Sequence, residues 1–351
     1  SSGLMYGGGP VETAETSATA FRSTWVTTNA GSASNTIVLP LTGTGGLNFT
    51  VWWGDGTSST ITDATNNTQN THQYPSAGTW EVAIEGVIGD RWAFSDGGDK
   101  LKITNVSNWG SFTTGDLCCG FDGCENMTCT ATDSLTVGGD TLYWWFRSCA
   151  SLTAIETRDW DMSGVTSVSY LFGYCASLVT VDTSIWDTSD WVSAAGLFRN
   201  DSALTTIDCS GWVFDSMINM EYLFGSCTEL IRLGTEASGY TNGVTGITVG
   251  SGTSWRFTAQ SGVTAGSGTI NIRGLLGGCL KLPDNSLDVS DWDVSKVKSM
   301  GAIFQSCRLL TDIDTTTWDT SSAISMSGLF YGCLALAELK VAATTDGTRW
   351  N

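Results

Sequence analysis

The sequence predicts an α+β protein: a small β-sandwich followed by a solenoid of about eight to nine 26-residue coils, each a short strand plus a short helix. Two observations carry this. A motif recurs at a near-constant interval through residues 101–341, and residues 21–92 lack that motif and alternate apolar and polar residues instead. The organisation read from it is a tail (1–20), the sandwich (21–92), the repeat array (101–341) and a C-terminal tail (342–351).

In the repeat, aromatic-x-x-Cys-x-x-Leu occurs at Phe146/Cys149/Leu152, Phe172/Cys175/Leu178, Phe224/Cys227/Leu230, Phe304/Cys307/Leu310 and Phe330/Cys333/Leu336. Variants are Phe121/Cys124/Met127, Phe198/Asp201/Leu204 and Leu276/Cys279/Leu282. Successive first positions lie 25, 26, 26, 26, 52, 28 and 26 residues apart, so the 52 reads as two periods. A tryptophan stands 12 residues before the phenylalanine in six units: Trp109, Trp160, Trp186, Trp212, Trp292 and Trp318. A fixed period of this length marks stacked units, none of which buries its apolar face alone.

Within each unit, LTAIE, LVTVD, LTTID and LTDID alternate as half-buried strands do. Three residues after the tryptophan stands Ser163, Ser189, Asp215, Ser295 or Ser321, each able to cap a helix. VTSVSYLF and VKSMGAIF then carry apolar residues three to four apart, which predicts the short helix. Residues 233–274, rich in Gly, Thr and Ser, read as an irregular insertion or one degenerate coil.

Composition narrows the function classes. With 35 acidic and 16 basic residues the net charge is −19, which repels nucleic acid and anionic lipid. The lone histidine, His72, removes His-rich metal sites and much histidine-based catalysis. No run of 18 apolar residues exists to span a membrane. The chain starts at Ser1 without a signal-peptide pattern, and removal of a leader stays open. Eleven cysteines cannot all pair within one chain. Seven of them, Cys124, Cys149, Cys175, Cys227, Cys279, Cys307 and Cys333, occupy one position per coil and read as a buried structural ladder. Cys118, Cys119, Cys129 and Cys209 lie off it and leave room for one or two disulfides.

In the first part, TIVLPL, LNFTVWWGDG and TWEVAIEGV are sandwich-like strands separated by Gly-rich turns. WGDGT at 53–57, His72-x-Tyr74 and Gly78-Thr79-Trp80 resemble the polycystic-kidney-disease (PKD) type of Ig-like domain. That resemblance implies core roles for Trp53 and Tyr74, a hairpin turn at 54–56 and a structural His72. The WDMS, WDTS, WDVS and WDTS segments at 160–163, 186–189, 292–295 and 318–321, with the Leu-Phe-x-x-Cys units, resemble BspA-like leucine-rich repeat surface proteins of the mycoplasma type. The resemblance covers about residues 21–341. It implies a leucine-rich-repeat-type solenoid on a protein exposed on a cell surface or virion, with an adhesion or recognition role. This sequence departs from the family at Trp52, where an acidic residue is usual, and at 233–274.

Candidate sites follow. Asp182, Asp208, Asp288 and Asp314, with Glu156, form one acidic row, and Asp161, Asp187, Asp293 and Asp319 form a second. Paired carboxylates ligate calcium or hydrolyse glycosides, but recurrence in every coil points to turn chemistry, so calcium is the weaker reading. Trp52, Trp144 and Trp255 stand at outward or irregular positions and are the candidate binding residues. The expected function is non-enzymatic recognition of a protein or glycan partner through the repeats, without a cofactor. The alternatives are a structural or decoration subunit of a virion or filament, in an assembly that orders the tail, and, more weakly, a carbohydrate-active enzyme.

Overall fold

In the computed structural model, residues 17–43, 46–65, 67–88, 91–209, 211–214, 216–233, 270–283, 289–290 and 292–341 are described. Most of both tails, the greater part of 233–274 with Trp255, and Asp215 and Asp288 lie outside them.

The N-terminal region is built from β1 (Phe21–Val26), β2 (Thr36–Val38), β3 (Gly46–Trp52), β4 (Ser58–Asp63), α1 (Asn67–Asn70), β5 (Thr71–Gln73) and β6 (Thr79–Val87). Alternation sets its faces: in β1, Phe21, Ser23 and Trp25 point inward, and the buried Ser23 hydroxyl accepts from Trp25 Nε1 at 2.8 Å. β2 and β5 pair antiparallel as a small second sheet. The larger sheet has the order β4-β3-β6-β1 and then continues into the repeat through β7 (Ile103–Asn108) and β8 (Thr128–Cys129). β7 is the pivot, antiparallel to β1 on one side and parallel to β8 on the other. An aromatic cluster of Phe21, Trp92, Phe94, Trp109, Phe112 and Phe121 fills this junction, with Phe21 and Phe112 centroids 4.8 Å apart. Gly110 is required here: at φ 55° a Cβ would stand 2.3 Å from the Thr19 carbonyl oxygen. One contiguous apolar core therefore runs from sandwich to repeat.

Beyond β8 the described residues of the array form short strands: β9 (Thr206–Ile207), β10 (Arg232–Leu233), β11 (Ile270–Asn271), β12 (Val297–Ser299), β13 (Asp312–Thr315) and β14 (Glu338–Val341). Parallel bridges at the repeat interval, Thr141 to Ser167 to Ser193 to Asn219, hold successive coils side by side. Phe121, Phe146, Phe172, Phe198 and Phe224 form a column of nearly parallel rings, 5.5 to 5.9 Å between neighbours. Trp160, Trp186 and Trp212 form a second column at 6.0 and 6.4 Å. Stacked rings bury large area with favourable offset geometry, which is why these two positions recur.

The predicted α+β class, with a helix in every coil, is overturned. The four-residue α1 is the one α-helix among the described residues, and it lies in the N-terminal region. The segments read as helices are ladders of turns. Each has two left-handed residues four apart, as in Trp144 and Ser148, Tyr170 and Tyr174, Tyr222 and Ser226, and Ala302 and Ser306, with φ between 53° and 68°. A positive φ ends an α-helix. The N–H groups of Leu171, Gly173 and Cys175 bond three residues back, whereas those of Val168, Tyr170, Phe172 and Tyr174 reach Ser193, Ala195, Leu197 and Arg199 of the next coil. The inward residues Val168, Leu171, Phe172 and Cys175 are thus three to four apart, as they would be in a helix, while half of the hydrogen bonds run between coils.

The predicted caps are corrected with the helices. Ser163, Ser189, Ser295 and Ser321 donate their backbone N–H to the carboxylate two residues before them, closing side-chain turns.

Across the 52-residue interval, Met220, Tyr222, Phe224 and Ser226 donate to Asn271, Arg273, Leu275 and Gly277. These two coils are direct neighbours in the ladder.

Candidate functional site

The cysteine column is a hydrogen-bond ladder. Cys149, Cys175, Cys227, Cys279, Cys307 and Cys333 each donate Sγ–H to a carbonyl of the preceding coil, at 2.9 to 3.2 Å. Cys124, Cys149, Cys175, Cys227, Cys279 and Cys307 are fully buried, and burial pushes their thiols up, that of Cys279 to about 12. Thiolate chemistry is suppressed there. Asp201 occupies the same position in its coil: Oδ1 accepts from Cys175 N at 2.8 Å, and buried Oδ2 has no hydrogen-bond partner among the described residues. Burial first, then the neighbouring Cys175, drive its carboxyl well above the usual range. The side chain takes the place of a thiol in the column. Of the cysteines off the ladder, Cys118 and Cys119 form a vicinal disulfide, and Cys129 and Cys209 are free.

The carboxylate rows are committed to turns. Asp161, Asp187, Asp293 and Asp319 each accept through Oδ1 from the residue two on, and Asp182 and Asp314 do the same with Ser184 and Thr316. These bonds hold the Asp161, Asp187, Asp182, Asp314 and Asp319 carboxyls below their ordinary value. Asp161 and Asp187 share a shallow cleft with Arg158, Asp159 and Ile185. Among the described residues, no three His, Cys, Asp or Glu side chains gather as a metal site would require.

His72 is held on all sides. Its ring stacks on Trp53 at 4.7 Å, meets Tyr74 edge-on at 4.5 Å and shares a 2.8 Å hydrogen bond with Asp55. Tyr74 donates to the Trp53 carbonyl and stacks on Trp80. The WGDG, His-x-Tyr and Gly-Thr-Trp signals therefore meet as one packed cluster.

The three candidate tryptophans do not form one site. Trp52 is half-buried on β3, opposite Ser58 of β4 and Ala83 of β6. β3 lies three strands from β7, about 14 Å at ordinary strand spacing. Trp144 belongs to a different surface, along the ladder of turns. Its indole stacks on Tyr143 at 4.6 Å and lies 3.7 Å beneath the Arg147 guanidinium, which is itself clamped bidentately on buried Asp122. In the coils that follow, Tyr170 and Tyr222 occupy the position of Trp144, and Gly196 stands between them. Tyr170 lies across Gly196, where a Cβ would be 2.4 Å from its ring. Arg199 reaches this surface from the next position, over Tyr222 at 4.4 Å, and Arg273 follows at 5.5 Å.

The result is a strip of half-buried Trp144, Arg147, Tyr170, Arg199 and Tyr222 along successive coils, ending on exposed Arg273. Sequence reasoning singled out Trp144 but missed the arginines. Their signal was present: the residue after the column phenylalanine alternates as Arg147, Gly173, Arg199, Gly225.

No curated protein matches the chain. Among solved structures, a leucine-rich cell surface protein from Faecalibacterium prausnitzii A2-165 aligns at 14% identity and a TM-score of 0.30, over 67% of this chain and 70% of that one. Within the repeat array, residues 140–236 and 269–344 match the family described as Mycoplasma protein of unknown function, DUF285.

Proposed function

We propose that the chain is a non-catalytic recognition protein of a cell or particle surface, with the repeat array as its binding face and the N-terminal region as a PKD-like spacer. The observation that carries this reading is the strip from Trp144 to Arg273, because rigid aromatic side chains and arginines are the groups that anchor partners. The engagement of His72 with Asp55, and of the repeated carboxylates with their own turns, supports the absence of an acid/base pair free for chemistry. The spacer reading is supported by the packed Trp53, His72, Tyr74 and Trp80 cluster. No helix among the described residues is long and apolar enough to cross a membrane.

The experiment is a binding screen on glycan and protein arrays with the full chain and a Trp144→Ala, Tyr170→Ala, Tyr222→Ala variant. The expected result is a captured partner lost by the variant. Turnover of any screened ligand by the purified protein would overturn the reading.

A second reading, a structural subunit of a virion or filament, is favoured by the nine free cysteines. Free thiols in such number suit a chain folded in a reducing compartment.

A further inference from the structure

We propose that Cys333 is a redox-modification site, which a small-molecule disulfide such as oxidised glutathione converts into a cross-coil disulfide with Cys307, stapling the last coil of the array. The proposal does not depend on what the recognition face binds.

Exposure selects the pair. Cys124, Cys149, Cys175, Cys227, Cys279 and Cys307 are fully buried in the column, whereas Cys333 is partly exposed. Its neighbours Tyr331 and Leu334 are 70% and 79% accessible, and all four residues of β14 are exposed, so this is where a solute meets the column. Cys129, another partly exposed free thiol, stands off it.

Register supplies the geometry. Phe304 and Phe330, three residues before the two cysteines, stack at 5.5 Å, and Ser306 N–H donates to the Tyr331 carbonyl at 2.7 Å. Five residues after the cysteines, Asp312 pairs with Glu338 at the start of β13 and β14. Cys307 and Cys333 are thus locked opposite each other, their Cα atoms about one strand step of 4.8 Å apart. A disulfide spans Cα separations of about 4.4–6.8 Å, provided that the Cβ vectors do not point apart. Here they run the same way. Both sulfurs are directed at the preceding coil, Cys307 Sγ to the Leu276 carbonyl at 3.2 Å and Cys333 Sγ to the Phe304 carbonyl at 3.0 Å. The same Phe304 carbonyl accepts the Cys307 N–H at 3.0 Å, so the Cys333 sulfur and the Cys307 backbone meet around one oxygen.

The chemistry is two successive thiol–disulfide exchanges. The Cys333 thiolate attacks one sulfur of glutathione disulfide. A Cys333–glutathione bond forms as the glutathione S–S bond breaks, and the departing glutathione takes up the proton that Cys333 lost. The Cys307 thiolate then attacks the Cys333 sulfur, forming the Cys307–Cys333 bond and expelling the second glutathione, which takes the Cys307 proton. Two protein thiols are oxidised, and one disulfide is reduced to two thiols. Burial shields Cys307 while its coil is closed. The last coil has one stacked neighbour among the described residues, so it opens more readily than an inner coil, and each opening admits the second exchange. The staple closes a 26-residue loop on the part of the array that a single interface holds.

The test incubates the native full chain with oxidised glutathione, blocks the remaining thiols with N-ethylmaleimide after denaturation and maps the peptides by mass spectrometry. The expected product is a monomer in which the Cys307 and Cys333 peptides are joined and neither cysteine carries maleimide, while Cys149 and Cys175 are recovered as thiols. Its last coil should be cleaved by protease more slowly than in the reduced chain, and dithiothreitol should restore the original rate. Cys333→Ser should leave Cys307 as a thiol, and Cys307→Ser should hold glutathione on Cys333. The proposal would be overturned by a glutathione adduct that persists on Cys333 of the parent chain, by a dimer joined through Cys333, by a Cys149–Cys175 disulfide in its place, by thiols at both positions after the oxidant, or by a joined chain cleaved as fast as the reduced one. If either variant fails to fold, the peptide map and the cleavage rate of the parent chain decide.

Discussion

The two ends of the repeat array are built from the same coil and differ in their neighbours. At the N-terminal end β7 has a strand on either side, and the sandwich contributes Phe21, Trp92 and Phe94 to the first coils. At the C-terminal end all four residues of β14 are exposed, and Ile324, Tyr331 and Leu334 are 78%, 70% and 79% accessible. Phe304 and Cys307 are fully buried, yet their counterparts Phe330 and Cys333 are only partly so. The coil sequence alone does not make a core. Burial comes from a stacked neighbour on each side, and stability is a sum over such interfaces.

Removal of a ring from the column tests this most severely. Phe172 stacks on Phe146 and Phe198, so Phe172→Ala should cost about 3–5 kcal/mol. Among the described residues Phe330 has a single column partner, Phe304, and Phe330→Ala should cost well under half as much. Urea denaturation midpoints with a common slope measure both, and equal losses would break the comparison.

The closed end has its own anchor. Lys102 is fully buried, and its Nζ donates to the carbonyls of Ser32, Ala33 and Thr36 and to the Ser32 hydroxyl, with Asp99 Oδ1 at 3.7 Å. Asp99 in turn accepts from Ser32 N and Val38 N. Lys102→Met would leave the carboxylate and three carbonyls without their cation. A loss of about 3 kcal/mol or more is expected, because removing one member of a buried pair strands the other. Little change in the denaturation midpoint would mean that the sandwich end owes its rigidity to the aromatic junction alone.

Asp201 sharpens the comparison inside the array. Its folded pKa is raised above the unfolded value near 3.9, so its full contribution is present below that pH and is lost as pH rises toward the folded pKa. The loss runs up to about 1.4 kcal/mol per pH unit over that window. Asp201→Cys restores the column residue of the other coils. It should therefore be more stable than the parent by a margin that grows as pH rises above about 4, read from melting temperatures across a pH series. A constant margin would show that the folded chain does not raise the Asp201 carboxyl.

The repeat, the two ring columns and the cysteine position were legible because each recurs at one spacing that a single face must satisfy. The helix prediction failed on a real ambiguity. Residues 168, 171, 172 and 175 point inward in either structure, and only the left-handed φ at Tyr170 and Tyr174, residue types that carry no such signal, separates the two. The direct contact of the 222 and 273 coils was hidden by the 50 intervening residues. The knot around Lys102 was hidden because Ser32, Thr36 and Asp99 converge only in the tertiary fold. Arg199 went unread for the opposite reason. Its alternation with glycine was in plain sequence, but its meaning depends on three tyrosines contributed by the two flanking coils.

The smallest expected effect separates the turn from the cap. An N-cap serine ties down a whole helix end, so its removal would register in global stability. Ser163 instead donates both N–H and Oγ–H to Asp161 Oδ1, at 3.0 and 2.6 Å, within an exposed local turn. Ser163→Ala removes the hydroxyl bond and leaves the backbone one. The denaturation midpoint should stay within its experimental scatter. The Asp161 carboxyl should report the change, because the Ser163 side chain is the main influence holding it below its ordinary value. Carbon-13 titration of the variant is expected to show that pKa moving up, with Asp187, one coil away and bonded to its own Ser189, unmoved. A shift shared by both carboxyls would mean that the row titrates as a coupled set, and the turns would then have to be treated as one surface rather than as independent closures of each coil.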